Sequence, residues 1–208
     1  MRPLKGNQTY VSVGGQEILT LRDILPASSA PGLRVLFVGK TPAPESVEVG
    51  HYFQGQHGTN FWSRLKTNGL LEVTTEFEDD SLLEHGYGFT DIVKVPRAFG
   101  KEPSAQEYKE GSPRVLELIH IHRPKVVVFV YKKVLDKIIN LHFASKEKAM
   151  YGFNRGLEND FGSRVFAFPL PGVGGKLCDA VVAASAMQEL RACLEKRASG
   201  GVNNFILK

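Results

Sequence analysis

The sequence predicts an α/β fold, a three-layer α/β/α sandwich around a central, mostly parallel sheet, and three observations predict it. Short continuous apolar runs, Val35-Leu-Phe-Val38, Val126-Val-Val-Phe-Val130 and Val165-Phe-Ala-Phe168, have the length and composition of strands buried on both faces. Segments with apolar residues at helical spacing, over 59–68, 104–122, 134–141 and 179–196, alternate with them. The first run stops at Gly39 and Pro42 and the last at Pro169, so their loops leave the carboxyl edge of the sheet, where open α/β sheets hold ligands.

Taken in order, residues 1–31 form an N-terminal extension packed on the domain, with a turn at Gly14-Gly15 and a short amphipathic turn at Thr20-Leu-Arg-Asp-Ile-Leu25. Residues 32–197 are the α/β domain, and 198–208 are a C-terminal tail. The helix at 59–68 turns Phe61, Trp62 and Leu65 inward with Thr59 as its cap. An acidic connector over 72–84 carries one buried turn at Leu82-Leu83, and Gly88-Phe-Thr-Asp-Ile-Val-Lys-Val95 is extended, ending with Asp91 at a site or a strand edge. Leu135, Ile138 and Ile139 face inward from the helix at 134–141, and Lys132, Lys133 and Lys137 lie on its wet or DNA-facing side, a solvated face being the plainer reading. Residues 144–162 read as surface loop. The strand-end loops 39–62 and 169–176 are expected side by side at one edge of the sheet.

A length of 208 residues fits one large domain. Twenty-six Lys and Arg against 22 Asp and Glu leave a net charge of +4, compatible with an anionic partner but far from a polybasic tail. Cys178 and Cys193 lack CxxC spacing, which predicts a reducing compartment and no zinc or iron–sulfur site. No apolar span of membrane length and no charged-then-apolar leader is present, so the expectation is an intracellular protein, cytoplasmic or nucleoid-associated, nuclear if eukaryotic, with no membrane partner.

Gly39-Lys40-Thr41 imitates a phosphate loop, but Arg34 stands where its first Gly belongs and Pro42 follows. Gly175-Lys176 fails likewise, with Leu170 and Leu177 at the flanking positions. His51 and His57 have no carboxylate or Cys at ligand spacing, so no metal and no cofactor are expected, and His51 orients the loop. His120 and His122 point to different faces of their helix. No Gly-x-Ser-x-Gly elbow is present.

Four stretches occur together in order: Thr20-Leu-Arg-Asp-Ile-Leu-Pro26, Val35-Leu-Phe-Val-Gly-Lys-Thr-Pro-Ala43, Gly50-His-Tyr-Phe53 through Phe61-Trp62, and Gly88-Phe-Thr-Asp-Ile-Val93. In that order they resemble the mismatch-specific uracil/thymine DNA glycosylases of the uracil-DNA glycosylase superfamily, over roughly residues 20–195. The resemblance implies base excision repair: a DNA glycosylase, monofunctional and monomeric, that flips uracil, mispaired thymine or a related deaminated base from double-stranded DNA and hydrolyses its N-glycosidic bond. Phe53 falls at the family's stacking aromatic, or it is a loop aromatic packed on the core. Ser46 falls near the position facing the pyrimidine 5-substituent, and Lys40 and Phe53 bring backbone amides toward the departing base. Thr41 replaces the water-positioning Asn, one hydroxyl for a carbonyl-plus-amide pair. Asp91 replaces an Asn or Lys and orders water, contacts the base or caps the next turn. The last family motif corresponds to Pro169-Leu-Pro-Gly-Val-Gly-Gly-Lys176, where Leu170 replaces a polar residue. There Gly172, Gly174 and Lys176 approach phosphate, and Leu170 or Val173 is the wedge, although Gly174 aligns with a related enzyme's leucine. A relative that keeps fold and base pocket but has lost catalysis is the alternative the same departures imply.

Overall fold

The computed structural model describes residues 3–27, 32–55, 58–143, 148–170 and 178–195. A hairpin of β1 (Gln8–Val13) and β2 (Gln16–Leu21) precedes a five-stranded sheet. The sheet holds β3 (Val35–Gly39), β4 (Tyr87–Asp91), β5 (Val126–Phe129), β6 (Gly152–Phe153) and β7 (Arg164–Ala167), in the order β4-β3-β5-β7-β6. All pairings are parallel except that of the short edge strand β6. Among the described residues six α-helices accompany them: α1 (Pro44–Val49), α2 (Thr59–Thr67), α3 (Ala105–His122), α4 (Lys132–His142), α5 (Glu158–Phe161) and α6 (Ala180–Glu195).

Side-chain alternation along the strands builds the three layers. Val35, Phe37, Val126, Val128 and Phe166 point to one apolar cluster, shared with Phe61, Trp62 and Leu65 of α2 and Met187 and Leu190 of α6. Their neighbours Leu36, Val38, Val127, Phe129 and Val165 point to a second, shared with Val115 and Ile119 of α3 and Leu135, Ile138 and Ile139 of α4. A strand buried on both faces has no place for a polar alternate position, which is why these runs are continuously apolar. The sandwich expected from the sequence is therefore the observed architecture.

Several local expectations are corrected. Thr20 and Leu21 end β2 instead of opening an amphipathic turn. Gly58, not Thr59, occupies the cap position of α2. Within the acidic connector Asp79 is buried and Leu83 is exposed. Residues 152–161 hold β6, a 3-10 turn and α5. β5 lies between β3 and β7 in the sheet, so the strands whose loops are expected together are not neighbours.

Two contacts hold β4 and the chain leaving it in place. Ile24 exchanges backbone hydrogen bonds with Phe89, 2.9 and 2.8 Å, so the segment after the hairpin covers the outer edge of β4. Helix α3 begins with a capping box between Ser104 and Glu107 and crosses the chain leaving β4 at Gly111, where an added Cβ would sit 1.9 Å from the Ile92 carbonyl oxygen. Helix propensity favours Gly111→Ala by about 1 kcal/mol. Backbone cannot retreat as a flexible side chain can, so overpacking costing about 1–3 kcal/mol should win. Chemical denaturation is expected to show Gly111→Ala less stable than wild type.

Candidate active site

A cavity of about 710 Å³ opens at the carboxyl edge of the sheet, above Asp91 and Phe168. Its walls come from the chain after β3 (Lys40 to Ser46), the loop carrying Tyr52 and Phe53, the loop 97–102, the start of α4, and Leu170 after β7. Strand register brings the first groups together: β3 and β4 pair so that Gly39 stands opposite Asp91. A Cβ at Gly39 would fall 2.1 Å from Asp91 Oδ1, so only glycine leaves the carboxylate room.

Asp91 is 2 % exposed and, among the described residues, its Oδ2 has no hydrogen-bond partner. Burial pushes its carboxyl from 3.8 up to about 7, against the pull of Lys94, Arg114 and Lys40 and with a further push from Asp23. A carboxylate with one unused oxygen at the floor of a cavity, titrating near neutrality, is the arrangement a general base needs. A turn-capping aspartate would spend its oxygens on the amides that follow it, and Oδ2 is not spent in this way.

Thr41 lines the same cavity, and its hydroxyl donates to the Val95 carbonyl. With its proton committed, Oγ1 presents only lone pairs and can accept a hydrogen bond from water but not donate one. Lys40 is held 3.1 Å from Glu102 Oε2, lies 5.4 Å from the centre of the Tyr131 ring and lines the cavity.

Phe53 is one of two non-glycine residues at positive φ among those described, at 54°. Its ring is half-buried, packed against Phe61 at 4.5 Å and edge-on to Trp62 and Phe89 at 5.9 and 5.4 Å. Both sequence alternatives hold in part: the ring packs on core aromatics and also lines the cavity. Ser46, 2 % exposed, accepts from the Gln54 amide at 3.0 Å, so its hydroxyl ties Phe53's loop to α1. His51 does orient this loop, pairing with Asp79 at 2.8 Å and stacking on Phe77. Asp79 Oδ2 accepts from the Tyr52 amide and Asn7, which leaves that carboxylate fully engaged.

Leu170 reaches the cavity wall, and Arg64 donates to the neighbouring Pro169 carbonyl. Thus the loop after β7 contributes to the cavity although its strand is not β3's neighbour. Gly172, Val173, Gly174, Lys176 and His57 lie outside the described residues. Lys132 and Lys133, expected on the wet or DNA-facing side of their helix, line the cavity, Lys133 at 3.4 Å from Glu102.

Sequence reasoning missed the polar cluster beneath Asp91. Asp23 pairs with Lys94 at 2.5 Å and Arg114 at 2.6 Å and accepts from Thr90 at 2.7 Å, and Arg114 also donates to the Asp91 carbonyl. One signal was present: Lys94 is the single charge in the apolar run Ile92-Val-Lys-Val95.

Comparison with known proteins finds a family and a relative. The family model described as the uracil DNA glycosylase superfamily matches residues 26–172. A "G/U mismatch-specific uracil DNA glycosylase" of Schizosaccharomyces pombe is 31% identical over 101 residues, 47% of this chain and 31% of that protein. The match spans under a third of that relative's length.

The raised Asp91 carboxyl has a stability consequence. Its folded value near 7 lies above the ordinary 3.8, so the contribution is fully favourable below about pH 4 and is lost as pH rises through 7. Above pH 7 the fold carries a charge it would shed, at a cost on the order of 4 kcal/mol. Asp91→Asn should therefore unfold at higher temperature than wild type at pH 8. Thermal melts from pH 8 to pH 4 should show the gap closing.

Proposed function

The chain belongs to the uracil DNA glycosylase superfamily, and from that premise we propose that it hydrolyses the N-glycosidic bond of a flipped uracil, mispaired thymine or related deaminated base in double-stranded DNA. The observation that carries this reading is the buried Asp91 carboxylate, with one unengaged oxygen, on the floor of a cavity walled by the pinned ring of Phe53. A cavity of about 710 Å³ has room for a base together with its sugar.

In this mechanism the flipped base stacks on Phe53, and backbone amides near Lys40 and Phe53 receive the charge that develops on it. The C1′–N bond breaks with its electron pair leaving on the base, and the sugar gains oxocarbenium character. A water held by Thr41 Oγ1 and Asp91 attacks C1′, its oxygen forming the new C–O bond as its proton passes to the Asp91 carboxylate. The departing base anion takes a proton from solvent, leaving an abasic sugar. Asp91 thus serves as base and as counter-charge to the cationic sugar. Lys101, Lys132 and Lys133 around the cavity supply cations for backbone phosphates.

The commitment of the Thr41 hydroxyl to Val95 favours a second reading, a DNA-binding relative with weakened catalysis, because Thr41 then orients water from one side only. Single-turnover excision from G·U, G·T, A·U and hypoxanthine duplexes, with alkaline cleavage of abasic sites, separates the two. Asp91→Asn is expected to slow excision roughly 10²–10⁴-fold without loss of duplex affinity, and Thr41→Ala to slow it less. Unchanged rates in both variants would remove these residues from the chemistry. Salt-sensitive duplex binding with no product from any wild-type reaction would establish the weakened relative.

A further inference from the structure

We propose that Asp79 is the positioning residue for the stacking ring: by holding the Tyr52 amide and the His51 ring it fixes the backbone that presents Phe53, and capture of a flipped base depends on it. The inference rests on the glycosylase reading and assigns a role to a carboxylate that does not itself line the cavity.

Asp79 sits in a 3-10 turn (Glu78–Ser81) of the acidic connector, and its side chain is 0 % exposed. Each of its carboxylate hydrogen bonds reaches far along the chain. Oδ1 pairs with His51 Nδ1 at 2.8 Å, and Oδ2 accepts from the Tyr52 amide at 2.8 Å and from the Asn7 side-chain amide at 3.0 Å. An ionised carboxylate only accepts, which puts the His51 proton on Nδ1. The His51 ring is fixed on its other contacts too. It stacks on Phe77 with centroids 3.7 Å apart, and Gly6 approaches so closely that a Cβ there would lie 2.5 Å from Nε2. The Asn7 amide in turn donates to the Gly50 carbonyl at 2.7 Å, so the chain entering the loop is tied down on both sides of His51.

Asp79 thereby grips the residue immediately ahead of Phe53. Tyr52 is held by its amide to Asp79, by its carbonyl to the Trp62 indole at 3.1 Å, and by its hydroxyl to the Arg22 carbonyl at 2.9 Å. Beyond Phe53 the Gln54 amide donates to Ser46 Oγ at 3.0 Å. Phe53 is strung between these anchors at φ 54°, a conformation that costs free energy and persists only while the anchors hold. They are not equivalent. The Tyr52 carbonyl has a second donor in Gln54 Nε2 at 3.1 Å, whereas for the Tyr52 amide Asp79 is the acceptor. Removing that carboxylate strands a buried N–H, and the peptide gains by turning toward another acceptor and carrying the Phe53 ring with it.

A double-variant cycle on Asp79 and Phe53 tests this, because general damage to the fold adds to the loss of a ring whereas mispositioning of that ring does not. Binding is measured to a G·U duplex whose deoxyuridine carries a 2′-fluorine, which resists hydrolysis by disfavouring the cationic sugar, and to the matched G·C duplex. The ratio of the two affinities reads base capture apart from phosphate contacts. Asp79→Ala and Phe53→Ala are each expected to lower the ratio roughly tenfold or more, as loss of one base–aromatic stack does, and the doubly substituted protein to fall no further than Phe53→Ala. Asp79→Asn is expected to keep most of the ratio. One oxygen still serves the Tyr52 and Asn7 amides, and its own amide can donate to His51 Nδ1 once that ring carries its proton on Nε2, a switch visible by nitrogen-15 NMR. An unchanged ratio in Asp79→Ala, losses that add in the double variant, or a loss as large in Asp79→Asn as in Asp79→Ala overturns the proposal. If Asp79→Ala does not fold, Asp79→Glu, which keeps the charge but displaces both oxygens, takes its place in the cycle under the same criteria. Equal wild-type affinity for the two duplexes would defeat the glycosylase reading and the proposal with it. Additive losses from a clear wild-type preference would defeat the role of Asp79 alone.

Discussion

Burying one carboxylate at the carboxyl end of β4 is the constraint around which this molecule is arranged. The charge is costly to desolvate, so the surroundings divide between what makes room for it and what compensates it. Room comes from Gly39, the only residue type that fits opposite Asp91 in the parallel register. Compensation comes from Lys94, Arg114 and Lys40, delivered by the loop after β4, by α3 and by β3. The close crossing of α3 at Gly111 brings Arg114 to the Asp91 carbonyl, so helix packing and site electrostatics are one problem.

The aromatic wall is built on a similar principle. Phe53 adopts a backbone conformation that non-glycine residues seldom take, and such strain persists only where neighbours over-determine it. Here they do: Phe61, Trp62 and Phe89 grip the ring, Ser46 grips the next amide, and Gly58 packs directly on the Phe53 carbonyl. A platform held this way is ready before anything binds, and little ordering remains to be done on association.

How much of this could be read from the sequence depended on how local the signal was. The doubly buried strands and their helices were legible because alternation of apolar side chains toward two layers leaves no polar position in Val35–Gly39 or Val126–Phe129. That Thr41, Asp91 and Phe53 line one cavity was foreshadowed by the resemblance of their three short segments, each ending a strand or opening a loop, to a single family. The hairpin was not, since β1 and β2 are half-exposed and their mixed composition hides the period of two. Nor was the strand order, because the position of β5 between β3 and β7 is not written in the order of the segments along the chain. The Asp23–Lys94 pair escaped for the same reason: its members are adjacent only after the segment bearing Ile24 has docked on β4.

That docking gives the segment ahead of the central sheet a double duty. Ile24 caps the open edge of β4 with backbone hydrogen bonds, and the residue before it carries the anion that holds Lys94. A protease that clipped the chain ahead of β3 would therefore leave a fragment whose sheet can recruit strands from other molecules and whose buried ammonium has lost its counter-ion. Self-association and a mistuned site would appear together in the digest, from a single cut far in sequence from the cavity floor.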